Sequence, residues 1–180
     1  MDAYFGRLAS SEPVPGGGSA AMVCGSLACA LVAMVARICK DQDLAEEADR
    51  LRARMDEQRA ADEAAFAAVV AARGDKAKMQ PALQHAAEVP LQSAALCLQA
   101  LELTQRAFAL ENAHLVSDIG CANAFAFAAL RASAFNVRVN HKYMKDAQVI
   151  ARQKVLLDDI EAQGTDLWST ISHAVSSTLA

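Results

Sequence analysis

The chain has 180 residues, is 54% hydrophobic but only 5% aromatic, and carries a net charge of −4. That length predicts one domain over residues 1–180 with a real core, and the mixed, slightly acidic charge excludes a nucleic-acid surface. Five cysteines, odd in number and without a C-x-x-C pair, exclude a disulfide framework or a zinc site.

Alanine is the commonest residue, and with only four prolines and eight glycines the composition favours helices over sheets. The first residues lack the basic stretch of a signal peptide, so the expectation is a reduced, cytoplasmic protein. A short lead-in helix is predicted over residues 2–9, with Tyr4, Phe5 and Leu8 on one side. A loop follows over residues 10–18, stiffened by Pro13 and Pro15. The chain then reads Pro15-Gly16-Gly17-Gly18-Ser19 and continues over residues 20–36 without a charge. Three successive glycines remove the side chains that would keep a ligand off the backbone. Ser19 reads as the N-cap of a helix running to about Lys40, whose free N–H groups favour an anionic group. An ordinary loop before a helix would read the same way. The helix is apolar on nearly every side and therefore central. Its length is near the lower limit for a membrane span, but its alanine and glycine content and the lack of flanking aromatics argue against one.

A long amphipathic helix is predicted over residues 44–72. Its stripe of Leu44, Ala48, Leu51, Met55, Gln58, Asp62, Phe66 and Val69 has helical period. Asp62 places a carboxylate on the core face, where it needs a partner, a wet cleft or a chemical role. Alternatively the helix rolls, Ala61 and Ala65 face inward, and Asp62 stands at the rim. Gly74-Asp75 ends this helix. Residues 76–89 read as one or two short helices interrupted by Pro81, and Pro90 reads as the first turn of a helix to about Glu111. After a turn at residues 111–114, a second alanine-rich central helix carries Asp118 near its start, where Ser117 or Asp118 could cap it. Arg131, Asn136 and Asn140 follow along it, able to bind a polar ligand or satisfy one another. Residues 146–163 and 165–179 read as two helices split at Gly164. The expected architecture is an all-α, up-and-down helical bundle with two central apolar helices. No Walker A motif, dinucleotide fingerprint or paired histidine spacing is present.

The stretch over residues 8–21, centred on Pro15-Gly16-Gly17-Gly18-Ser19, resembles the cyclodeaminase/cyclohydrolase family of folate enzymes. Four further segments resemble that family in the same order: Asp62-Glu63-Ala64-Ala65-Phe66, Glu88-Val89-Pro90-Leu91, Asn112 with Val116-Ser117-Asp118, and the run from Leu130 to Asn140. The resemblance covers residues 4 to about 145. It implies a helical bundle that dimerises and binds folate beside the glycine loop, with Asp62 as the catalytic carboxylate. It also implies Asp118 as a second acid that positions the pterin or tunes Asp62. Pro15, Gly16, Gly17, Gly18, Ser19, Lys40, Ser117, Asn136 and Asn140 become the expected substrate contacts. The implied reaction is hydrolysis of 5,10-methenyltetrahydrofolate to 10-formyltetrahydrofolate, without a metal or any cofactor beyond the folate itself. The alternatives are cyclodeamination of formiminotetrahydrofolate with release of ammonia, and a divergent module that binds folate without turning it over. The chain departs from the family's pattern at Ile38-Cys39-Lys40-Asp41-Gln42-Asp43, where a second basic residue and a tyrosine are missing. It departs again in a shortened loop at residues 73–78 and in His114, which replaces an asparagine.

Overall fold

In the computed structural model the described residues are 2–180; Met1, the first residue of the expected domain, lies outside them. The described residues form six α-helices, α1 (Asp2–Leu8), α2 (Gly17–Ile38), α3 (Gln42–Ala71), α4 (Lys76–Phe108), α5 (Val116–His141) and α6 (Ala147–Leu179), with one 3₁₀ turn at Ala113–Leu115. Among the described residues there is no strand. Helices α2 and α5 pack on each other at the centre; α3, α4 and α6 surround them. Both central helices are long and apolar enough to cross a membrane by length and hydropathy, and 56% of that window of α2 is buried inside the bundle.

The helix ends follow from local chemistry. Asp41, Asp75 and Asp146 each turn a carboxylate onto the free N–H groups of the helix that follows, Asp41 accepting from Leu44 at 2.9 Å. Helix α2 stops where Lys40 adopts a left-handed conformation (φ 64°). There the Asp41 N–H reaches back to the Ala36 carbonyl and the Lys40 N–H to that of Arg37, a glycine-type C-terminal motif built on a lysine.

Three expected breaks are absent. Helix α4 runs unbroken through Pro81 and Pro90, so Pro90 is interior rather than a first-turn residue. Helix α6 runs unbroken through Gly164, which is buried where a Cβ would lie 2.5 Å from Leu130 Cδ1. That glycine serves close approach of α6 to the core and not a turn. The core is correspondingly made of small and medium side chains, with Met22, Leu44, Met55, Leu101, Ile119 and Leu130 the largest fully buried ones.

Candidate active site

The apolar stripe of α3 keeps its period to the end of the helix, and its last turns form a wall rather than core. Leu44, Ala48, Leu51 and Met55 are buried. Gln58 is half-buried and donates to the Val89 carbonyl at 2.7 Å. Beyond it, Asp62, Phe66 and Val69 line a cleft of about 320 Å³, within the range of small-molecule sites. Opposite them are Gly16, Gly17 and Gly18 at the start of α2, with Asn136, Val139, Asn140 and Tyr143 at the end of α5; Leu83 and Ala86 of α4 and the loop residues Pro13 and Val14 complete it. Of the two readings of Asp62 the rim one is closer in position: Ala65 is buried, and Asp62 is half-buried where the rim meets the cleft.

The carboxylate of Asp62 rests directly on Gly18. A Cβ at that position would lie 2.1 Å from Asp62 Oδ1, so only glycine allows the acid to sit there. Burial raises the pKa of Asp62 above the ordinary carboxylate value; the backbone N–H of Ser19 pulls it down, and the charge of Glu63 pushes it further up. A carboxyl held at the positive end of a helix and yet raised in pKa is a better proton acceptor than an ordinary carboxylate and can return the proton it takes.

Glu63 escapes sequence reasoning because it is one more charge on an exposed-looking face. In the structure it accepts from Ser19 Oγ at 3.2 Å and from Arg7 Nη2 at 3.2 Å, while Tyr4 OH meets Ser19 Oγ at 3.0 Å. Ser19 is therefore not the N-cap. The cap is Gly16, which has no side chain to offer, and Ser19 is a buried residue of the first turn that ties α1 and α3 to α2. Pro15 is buried beneath the turn and does not line the cleft.

Asn136 and Asn140 are fixed by their amide nitrogens. Asn136 Nδ2 donates to the Ala132 carbonyl at 2.8 Å. Asn140 Nδ2 donates to the carbonyls of Asn136 at 2.9 Å and Ala86 at 2.8 Å. The Ala86 carbonyl is available because Pro90, four residues on, has no N–H to give it. The proline inside α4 thus frees an acceptor that holds Asn140 at the cleft. Neither side-chain oxygen hydrogen-bonds another described residue, so both can accept from a ligand N–H. Arg131, on the other side of α5, instead pairs with the buried Glu161 at 2.7 Å, as does Arg138.

Lys40, Ser117 and Asp118 are not at this cleft within one chain. Asp118 and Asn136 lie at opposite ends of α5, roughly 27 Å apart along the axis at 1.5 Å per residue. Lys40, just past the end of α2, is roughly 33 Å from Gly18 at the same rise per residue. The acid beside Asp62 is Glu63, and Asp118 is too distant to tune it. Among the described residues no three His, Cys, Asp or Glu side chains gather as a metal ion would require.

The family model described as "Formiminotransferase-cyclodeaminase" matches residues 1–158. The chain is 32% identical to a protein of Methylorubrum extorquens named methenyltetrahydrofolate cyclohydrolase, over 98% of this chain and 96% of that one. Its fold matches the crystal structure of a formiminotetrahydrofolate cyclodeaminase from Thermotoga maritima with a TM-score of 0.96, covering 100% of this chain and 97% of that one at 23% identity. A helical bundle with an acid seated on a glycine turn, matched over most of its length in sequence, is thus placed: the chain belongs to the formiminotransferase-cyclodeaminase family.

Proposed function

We propose that this protein is a folate one-carbon enzyme that hydrolyses 5,10-methenyltetrahydrofolate to 10-formyltetrahydrofolate, with Asp62 as the acid/base. The observation that carries the reading is the Asp62 carboxylate, raised in pKa and set against Gly18 on the wall of the cleft. The 32% identity to the Methylorubrum cyclohydrolase over nearly the whole chain supports it. In the substrate one carbon bridges N5 and N10 as a delocalised cation, which an adjacent carboxylate favours. Asp62 takes a proton from water as the water oxygen bonds to that carbon. The neutral adduct then opens: the C–N5 bond breaks, Asp62 returns its proton to N5, and the hydroxyl proton leaves as the formyl carbonyl forms. Asn136 and Asn140 offer oxygens to the N–H edge of a pterin, and Phe66, Val69 and Val139 cover its ring faces. The step uses no metal and no cofactor beyond the folate.

The second reading, cyclodeamination of formiminotetrahydrofolate, is supported by the family's description and uses the same carboxylate while N10 attacks the imino carbon and ammonia leaves. We take the protein to work in the cytoplasm as a homodimer, with its apolar central helices facing a second copy and not a lipid.

Replacing Asp62 by asparagine keeps the shape and removes the proton acceptor. Loss of methenyl hydrolysis by about 10²–10⁴-fold is expected; an unchanged rate in the purified variant rejects the assignment. Offering both folates and following ammonia separates the two reactions, and tight folate binding without turnover of either would mark a binding module.

A further inference from the structure

Three buried side-chain polar atoms among the described residues have no hydrogen-bond partner, and two of them, Ser26 Oγ and Arg59 Nε, belong to residues that line one groove. A buried donor left unpaired costs stability and calls for an occupant. The groove runs between α2 and α3, shares no lining residue with the Asp62 cleft, and has a volume of about 380 Å³. Val23, Leu27 and Ala30 of α2 form its apolar wall; Arg52, Asp56 and Arg59 of α3 form the polar one. Those three polar side chains are partly open to solvent, so a ligand enters along the α3 edge.

Ser26 differs from the other hydroxyls buried in helix interiors. Ser93, Thr104 and Ser133 each donate to the carbonyl four residues back, at 3.1, 2.8 and 2.8 Å, the usual recourse of a helical hydroxyl. Ser26 makes no such bond. Gly25 meets Met55, so Ser26 stands at a level between Arg52 and Asp56, and Arg59 follows about one turn on. Arg52 bonds Asp49 at 3.0 Å, and Asp49 is shared with Arg37. Arg59 approaches Asp56 at 3.8 Å, too far for a hydrogen bond, and lies 5.5 Å from the centre of the Tyr4 ring. Three guanidiniums thus meet two carboxylates along this edge, and the surplus is positive.

We infer that the groove binds a glutamyl unit. One carboxylate meets Arg52 and the Ser26 hydroxyl, the other meets Arg59 Nε, and the N–H of the unit donates to Asp56 between them. The methylenes lie on Val23, Leu27 and Ala30. A bare anion such as phosphate would leave the apolar wall uncovered and face the Asp56 charge unpaired; a cation would face the positive surplus. Arg52 and Arg59 rise from points about 10 Å apart along α3, and a glutamyl unit, with three carbons between its carboxylates, bridges their inward-leaning arms. Its source is free glutamate or the glutamyl end of a folate. The second source rests on the proposed folate reading; the site does not. Arg59 precedes Asp62 by about 4.5 Å of helix rise, and Tyr4, which lines the groove, meets Ser19 beside Gly18. A folate with its one-carbon unit at Asp62 carries its glutamyl end one benzoyl ring further, far enough to enter the groove.

Calorimetry on the whole chain tests the site with L-glutamate and p-aminobenzoyl-L-glutamate as probes and acetate and inorganic phosphate as controls. One glutamyl unit per chain is expected to bind at millimolar concentration. Arg52→Gln and Arg59→Gln should each weaken it about tenfold. Ser26→Ala removes an unpartnered hydroxyl, so it should melt no lower than wild type while weakening the probe several-fold. The proposal is overturned if neither glutamyl probe binds or if all three variants leave binding unchanged. Acetate and phosphate binding as tightly as glutamate also overturns it, since that marks an adventitious ion only. Equal affinity for the two probes assigns the site to free glutamate. Tighter binding of the aminobenzoyl probe assigns it to folate, with Arg59→Gln raising KM for methenyltetrahydrofolate but not for the tetrahydropteroate analogue that lacks glutamate. A wild-type chain that converts neither folate refutes the functional reading and leaves the glutamate titration to decide the site.

Discussion

Adding one methyl group to Gly18 would displace the acid on which the chemistry depends. A Cβ there would lie 2.1 Å from Asp62 Oδ1, 2.5 Å from Cγ and 2.7 Å from Oδ2, whereas ordinary contact begins at 3.4 Å. The carboxylate must therefore retreat by about 1.3 Å, the difference between 3.4 and 2.1. The obstruction is the end of a rotatable side chain, so Asp62 swings into the cleft while the helices hold their places. Overpacking costs roughly 1–3 kcal/mol, but alanine favours the first turn of α2 by up to about 1 kcal/mol over glycine. The melting temperature should then stay within about 8 °C of wild type. A misplacement of about 1 Å costs on the order of 10²-fold in rate, about 2.7 kcal/mol in the barrier. Gly17→Ala is the comparison: its Cβ would lie 3.6 Å from Asn136 Nδ2, an ordinary contact, and its loss should be much smaller. The assay is hydrolysis of methenyltetrahydrofolate by each purified variant beside a thermal melt. A Gly18→Ala enzyme with wild-type turnover, or a larger loss for Gly17→Ala, would refute the reasoning.

Four other outcomes follow from the geometry. Asp62 in the folded chain holds its proton to higher pH than in the unfolded chain, so its ionisation costs stability as pH rises through the folded value; Asp62→Asn should therefore melt higher than wild type at neutral pH and not at acid pH. Because the charge of Glu63 raises the Asp62 pKa, Glu63→Gln should move the acid limb of the rate profile to lower pH. Pro90→Ala restores an N–H that competes with Asn140 for the Ala86 carbonyl, so it should raise the melting temperature and weaken folate KM by about tenfold, against a prolyl penalty of up to about 3 kcal/mol removed from the helix. Gly164→Ala drives a methyl into Leu130 and Leu101; a loss of about 1–3 kcal/mol should appear in denaturant melts with kcat/KM of the folded enzyme retained.

The helical class and the two central helices were legible because alanine-rich runs free of charge leave no other solution for burial. The breaks at Pro81, Pro90 and Gly164 were misread for one reason. Proline and glycine are local penalties of about 1–3 kcal/mol, and tertiary packing outweighs them in long helices. Pro90 survives because the carbonyl it strands finds Asn140; Gly164 survives because α6 approaches Leu130 too closely for any side chain. Neither partner lies near in sequence. Ser19 was misplaced similarly, since a serine after three glycines reads as a cap unless its distant partner, Glu63, is known.

Periodicity tells which side of a helix a residue faces but not how far along the bundle it sits. Levels come from the turns. In an up-and-down bundle, residues equally far in sequence on either side of a tight turn lie at one level. Lys40, in the α2–α3 turn, is midway between Gly18 and Asp62, and those two are in contact. Ala113, in the α4–α5 turn, is midway between Ala86 and Asn140, and those two are hydrogen-bonded. By the same count Asp118, just past that turn, stands opposite Phe108 and belongs at the far end, as does Lys40. Counting from the turns thus gathers Gly18, Asp62, Ala86 and Asn140 into one site and expels Asp118 and Lys40 from it.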